Sequence, residues 1–195
     1  ESNQRRTGLI VAFDDYLNWR RIPQGNGRNI NSPTIYRSLP PQLRNSGQLA
    51  EESNFNSQAN AAYNLIRKLQ SGELDGDSLF SPKKLGKFLA VCQIWRAEHN
   101  FQINNINFFY DPIVAQLEPI GFDAYANSEV ENPFCYFSMG DAEYSWVNHA
   151  LSSPEIAFHY IENLSKFTNE DYIAKLKAKF YSQELKIRRL LIKDL

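Results

Sequence analysis

Two short apolar runs stand close together in the middle of the chain: INFFY at residues 106–110 and QLEPIGF at residues 116–122. Each is too short for a helix, and the first is rich in the aromatic and β-branched side chains that fit a pleated, half-buried surface. Asp111-Pro112 opens the stretch between them, a pair that favours a turn. Antiparallel pairing across that turn is the simplest arrangement, a β-hairpin. A lone hairpin is marginal in water. The rest of the chain must therefore supply further strands or a covering layer.

Most of what surrounds the hairpin has helical spacing. From Ser57 onward Ala61, Ala62, Leu65, Ile66 and Leu69 recur on one face, and Gly72 predicts the stop. Ser81-Pro82 predicts a second start, with Pro at the first helical position. Leu85, Phe88, Leu89, Cys92 and Trp95 form its stripe; Ala90, Val91 and Ile94 widen it, which predicts a central, largely buried helix with Trp95 in the core. A polar turn follows at residues 96–100. Ser153-Pro154 repeats the helix start ahead of Ile156, Ala157, Tyr160, Ile161 and Leu164. Another helix begins at Thr168-Asn169-Glu170-Asp171, with acids in the first turn, where the helix dipole favours them. Tyr172, Ile173, Leu176 and Phe180 are its stripe, and LKIRRLLIKDL at residues 185–195 reads as a basic amphipathic end helix. GLIVAF at residues 8–13 reads as a buried or edge strand, residues 20–56 as a long Gly-, Pro- and Asn-rich loop, and residues 123–140 as irregular. The expected fold class is α+β, mostly helical with a small sheet, in a single lobe over residues 1–195. Its parts are a strand and long loop (1–56), helices and hairpin (57–140) and C-terminal helices (141–195).

Composition narrows the function classes. Hydrophobic residues are 43% of the chain, enough for a real core. A net charge of -1 leaves no global footprint for nucleic acid. No apolar run approaches the roughly 18 residues a membrane helix needs. Two cysteines make no disulfide framework; Cys92 lies in a helical stripe and is expected to be a buried thiol. Glu1 stands where a start Met would be, with no signal peptide after it, so a processed chain or a piece of a longer one is expected. His149 and His159 lie on helical text without zinc-ligand spacing, and no Gly-x-Ser-x-Gly elbow is present.

The ends of the hairpin carry the candidate chemistry. Asn104, Asn105 and Asn107 cluster at the entry to its first strand, and Asp123 closes the second. Hard cations such as Mg²⁺ take carboxylate and amide oxygens together with substrate phosphate oxygens. An Asn and an Asp from the two strands can form such a half-cage. Glu98 and His99 lie on the loop leading in, where a carboxylate can orient or deprotonate a substrate hydroxyl. The plainer readings are an Asp that ends a turn, Asn residues that tolerate left-handed backbone, a solvated Glu98 and a His99 that orients the loop. Protein kinases place an Asp base, a metal-binding Asn and a hairpin-borne Asp in this order, but this chain has neither of their usual HRD and DFG words.

WRAEHNFQINNINFFYDPIVAQLEPIGFDAYAN at residues 95–127 resembles the core of the CotH-like family, the spore coat protein H kinases. That core carries an acidic loop residue, an Asn before an aromatic strand ending in Tyr, and an apolar strand ending Pro-x-x-x-Asp. RRTGLIVAFDDYLNW at residues 5–19 is similar to the family's Arg-x-Gly-hydrophobic-Phe-Asp segment, and LSSPEIAFHYIENLSKF at residues 151–167 resembles its helix after the site. The resemblance implies an atypical kinase fold that uses ATP and Mg²⁺ to phosphorylate Ser or Thr of protein substrates. It places Glu98 at the catalytic acidic position, His99 and Asn104 beside the nucleotide, and Asn105 and Asp123 on the metal, with Asn104 and Asn107 as alternatives in register to Asn105. It also implies a secreted, surface or spore-associated setting. Glu98 stands where the family has Asp, and nothing here corresponds to a nucleotide-clamping N-terminal lobe; QGNGRN at residues 24–29 is not flanked as a phosphate cradle should be. Both departures raise the alternative of a non-catalytic, kinase-like protein-binding domain.

Overall fold

The structure, a computed structural model, describes residues 8–14, 37–49, 53–103, 105–121 and 145–193. Among these, four strands form one antiparallel sheet: β1 (Ile10–Phe13), β2 (Pro41–Leu43), β3 (Asn107–Asp111) and β4 (Gln116–Ile120), in the order β2-β1-β3-β4. The helices are α1 (Ser46–Leu49), α2 (Phe55–Ser71), α3 (Gly76–Leu79), α4 (Pro82–Trp95), α5 (Ser145–Leu151), α6 (Pro154–Thr168) and α7 (Glu170–Lys193), with a 3-10 turn at Glu98–Phe101. The fold is α+β and mostly helical, as the sequence implies.

The hairpin forms as its residues predict. Asn107 pairs with Ile120 and Asp111 with Gln116. Asp111 Oδ1 accepts the Ile113 N–H at 2.9 Å and so fixes the start of the turn. β1 lies between β2 and β3 with Leu9, Val11, Ala12 and Phe13 buried, so its apolar run is a central strand. Both prolines of the sheet lie on its edges, Pro41 in β2 and Pro119 in β4, where a missing N–H leaves no ladder bond broken.

β2 and α1 occupy residues expected to be loop. Only three residues pair, and Pro41 begins them, so no alternation was there to read. Asn45 extends this short strand with its side chain. It accepts the Ile10 N–H at 2.9 Å and donates to the Gly8 carbonyl at 2.8 Å, taking over the hydrogen bonds a longer β2 would have made to β1. The other part of the expected loop, residues 20–36 and 50–52, lies outside the described residues, as does the expected irregular stretch from residue 123 to 140.

Helices cover the sheet and close the core. Val11, Phe13, Phe108, Tyr110 and Leu117 pack against Ile66, Leu79, Phe80, Leu85, Leu89 and Trp146. Gly72 ends α2 in the left-handed region at φ 69°, the conformation expected of a glycine helix stop. Pro82 and Pro154 both open their helices; the Ser153 hydroxyl accepts the Ile156 N–H, whereas Ser81 makes no side-chain cap.

α4 corrects one expectation. Leu85, Gly86, Leu89, Ala90 and Cys92 are buried, and Cys92 is a buried thiol outside any disulfide. Val91, Ile94 and Trp95 are exposed, Trp95 by 65%. Val91 and Ile94 lie across the helix from the Leu85–Leu89–Cys92 stripe, and Trp95 stands in the last turn, where Arg96 enters the left-handed region and turns the chain away. The helix is therefore buried along one arc rather than central. A second difference is at the C-terminus, where the two expected helical pieces are one 24-residue helix, α7. Asn169 Oδ1 caps it, accepting from Asp171 and Tyr172 N–H.

Candidate functional site

α4 ends at Arg96, and the chain tightens into the turn at Glu98–Phe101 before entering β3. Two interactions fix this turn. The fully buried Trp146 donates its indole N–H to the Phe101 carbonyl at 2.8 Å. Asn100, 2% exposed, donates to the Cys92 sulfur at 3.6 Å. Gln102 O then accepts the N–H groups of both Asn105 and Ile106 at 2.9 Å, bending the chain into the strand.

This bend holds Asn105 in one orientation. Its Nδ2 lies 3.1 Å from the His99 carbonyl oxygen and 2.8 Å from His99 Nδ1. A carbonyl oxygen can only accept, so the NH₂ faces His99 and Oδ1 faces away. The same NH₂ lies within hydrogen-bond reach of His99 Nδ1, which receives it when that nitrogen is the acceptor. Both amide hydrogens are then used on His99. Oδ1 takes part in no hydrogen bond among the described residues, although Asn105 as a whole is 7% exposed. The result is a neutral amide oxygen held facing away from His99. His99 thus contacts Asn105 through both its ring and its backbone carbonyl.

The neighbouring candidates fall into place around it. Asn107 donates to the Asn105 carbonyl at 2.9 Å, which leaves it a local structural part. Asn104 and Asp123 lie outside the described residues, and so does the side chain of Glu98, whose backbone opens the turn. Because Asn107 pairs with Ile120, the segment carrying Asn105 and the chain leaving β4 through Gly121 emerge at the same end of the hairpin. Gly121 lies near the same turn: a Cβ there would stand 3.8 Å from Asn100 Oδ1. Among the described residues, no group of three or more His, Cys, Asp or Glu side chains is placed to hold a metal.

A pocket that sequence reasoning missed opens beside β2. It measures about 590 Å³ and is lined by Arg37, Leu39, Pro41, Arg67, Gln70 and Ser71, among others. Gln70 is buried and donates to the Leu39 carbonyl at 2.8 Å, which ties α2 to the strand and forms the pocket floor. Arg37 and Arg67 have no carboxylate partner among the described residues. Arg67 also lies near the C-terminal end of α2, where the helix dipole favours a cation. Gln42 and Asn107 both flank Ala12, so the start of β2 beside this pocket and the Asn105 turn before β3 lie at the same end of the sheet. No sequence spacing links Arg37 to Arg67; packing of α2 against the segment before β2, tied by Gln70, brings both to the pocket.

No helix among the described residues is long and apolar enough to cross a membrane. Compared with known proteins, the chain matches no family model, no curated protein and no solved structure.

Proposed function

We propose that the chain is the catalytic lobe of a CotH-like protein kinase, which transfers the γ-phosphate of ATP to Ser or Thr of a protein substrate with Mg²⁺. The observation that carries this reading is Asn105: an amide clamped through both hydrogens, with its oxygen turned outward at the end of the hairpin from which Asp123 follows. Mg²⁺ is held in such sites by one or two carboxylates, with water and phosphate oxygens completing the shell, so a dense acidic cluster is not required. Asn105 and Asp123 would hold the ion, and the ion would neutralise charge on the transferring phosphoryl group. His99 sets the direction of the Asn105 oxygen, and Asn104 would contact the nucleotide. Glu98 would take the proton of the acceptor hydroxyl. The two guanidinium groups of the nearby pocket suit phosphate oxygens, which Arg binds in a fork geometry.

The test is radiolabel transfer from ATP to a Ser-rich protein substrate, comparing the full chain with Asp123→Ala and Asn105→Ala. Labelling that is Mg²⁺-dependent and falls by about 10²-fold or more in both variants is expected. Equal labelling in all three would remove the metal assignment. A second reading, a kinase-like domain that binds proteins without catalysis, draws on Glu98: the extra methylene displaces the carboxylate by about 1 Å, a shift that can cost about 10²-fold in rate. Mg²⁺-ATP binding by calorimetry with no transfer, unrestored by Glu98→Asp, would select it.

A further inference from the structure

α7 is 24 residues long, about 36 Å, and touches the rest of the molecule mainly near its start, where Tyr172 meets the Phe167 ring at 5.3 Å. Beyond Tyr172 its described side chains are exposed with the exception of the half-buried Leu185. An isolated helix gains little in water, and most helices are held by packing of an apolar face. α7 has such a face and nothing among the described residues covers it. Ile173, Leu176, Phe180 and Ile187 are 37%, 40%, 44% and 56% exposed, and they follow the alternating three-and-four spacing of a coiled-coil seam, with Gln183 at the intervening position.

The seam's width and borders say what fits it. Lys177 and Glu184 border it on one side, Lys179 and Lys186 on the other. A helix that lies on an anionic membrane has a broad apolar face and a basic rim. Here the apolar stripe is narrow, Gln183 interrupts it, and an acid stands at its edge, so the pattern suits another helix with the same seam. Charge then sets direction. In an antiparallel pair the Lys179–Lys186 borders would face each other and repel, which cancels the attraction of Lys177 for Glu184 on the opposite border. In a parallel pair Lys179 of one copy meets Glu184 of the other, twice by symmetry. Glu184 is already bonded to Arg188 at 2.7 Å, which leaves its carboxylate at the helix surface rather than swung away. The two Gln183 amides would meet across the axis and oppose slippage, as a polar residue in a seam does.

We propose that α7 pairs with α7 of a second copy as a parallel two-stranded coiled coil, making the protein a homodimer through its C-terminal helix. This inference is independent of the kinase reading. Sedimentation equilibrium of the full chain over a range of concentrations tests it. The expected result is a reversible dimer whose dissociation constant rises at least about tenfold in Phe180→Glu and in Ile187→Glu. Both side chains are exposed in the single chain, so the variants keep the monomer's circular dichroism in the core and its fold. Glu184→Lys should weaken the dimer roughly three- to tenfold, and adding Lys179→Glu should restore it. A protein that stays monomeric at every concentration overturns the proposal. So does a dimer insensitive to Phe180→Glu and Ile187→Glu. A dimer lost in those variants but unmoved by the charge exchange overturns the parallel pairing. Cosedimentation of monomeric protein with phosphatidylserine vesicles, abolished by Phe180→Glu, assigns the face to a membrane instead.

Discussion

Tyr110 sits on β3 with 5% of its surface exposed and Asp111 beside it. Its pKa is raised above 10.0, first because burial disfavours the phenolate and second because the Asp111 carboxylate repels it. The folded protein therefore keeps the proton where the unfolded chain has already lost it. The stabilisation is complete below the unfolded pKa of about 10 and disappears as pH rises from there through the folded value. Urea midpoints measured from about pH 8 to pH 11 should fall more steeply for the native chain than for Tyr110→Phe, which has nothing to titrate at this position. Tyr160 is raised by burial in the same direction, so the variant's curve still slopes. Parallel curves for the two proteins would show that the ring's environment does not discriminate against the phenolate. The same logic of a group defined by what touches it applies to Asn105. Its oxygen is a ligand candidate only because His99 takes both hydrogens, and that depends on a contact six residues apart closed by the tight turn.

α4 packs closely against α6, and Gly86 makes that approach possible. A Cβ at position 86 would lie 2.7 Å from His159 Cβ and 2.7 Å from the Tyr160 nitrogen, so backbone would have to move. Gly86→Ala gains about 1 kcal/mol of helix propensity but incurs about 1–3 kcal/mol of overpacking, and the packing loss wins. Gly47 in α1 is the control: nothing stands within 4 Å of its Cβ position, so Gly47→Ala should stabilise by about 0.5–1 kcal/mol. Thermal melts would read a lower midpoint for the first and a slightly higher one for the second. A Gly86→Ala midpoint at or above the native one would mean that the two helices part without loss. Elements also show where sequence reading succeeds. The hairpin, α2 and the Ser-Pro starts of α4 and α6 were legible because their signals are local. β2 was not, because its three residues begin with proline and owe their place to β1 and to the Asn45 side chain. The exposed end of α4 was misread because spacing reports a face and not what lies opposite it. At the candidate site, the asparagines before the hairpin were legible; the His99 clamp and the Arg37–Arg67 pocket come from a turn and from the packing of α2 on the segment before β2, which no spacing announces.

At the scale of the whole molecule, the sheet, the helices and the site share one aromatic centre. Phe108 of β3 packs edge-on against Trp146 of α5, with ring centres 5.3 Å apart, and against Phe13 of β1 at 6.3 Å. Trp146 also meets Phe80 at 6.0 Å and Phe101 at 6.2 Å, and its indole N–H holds the Phe101 carbonyl. One side chain thus ties the sheet to α5 and to the turn that aims Asn105. Trp146→Phe keeps an aromatic ring but leaves the Phe101 carbonyl without its donor and a void beside it. Losing a buried hydrogen bond costs about 0.5–1.5 kcal/mol and lost core volume adds to it, so a loss of about 2–4 kcal/mol in urea unfolding is expected. A purely packing role would stop at that loss. A role in holding the turn predicts more: in the folded variant the Asn105 and Ile106 amides, both bonded to Gln102 O, exchange with solvent faster relative to β1 amides than they do in the native protein. Native-state hydrogen exchange separates the two. If Asn105 and Ile106 keep their protection relative to β1, the turn is self-supporting and Trp146 serves the core alone. If they lose it, the core and the candidate metal ligand are coupled through a single hydrogen bond, and Mg²⁺-dependent labelling in Trp146→Phe should fall with them.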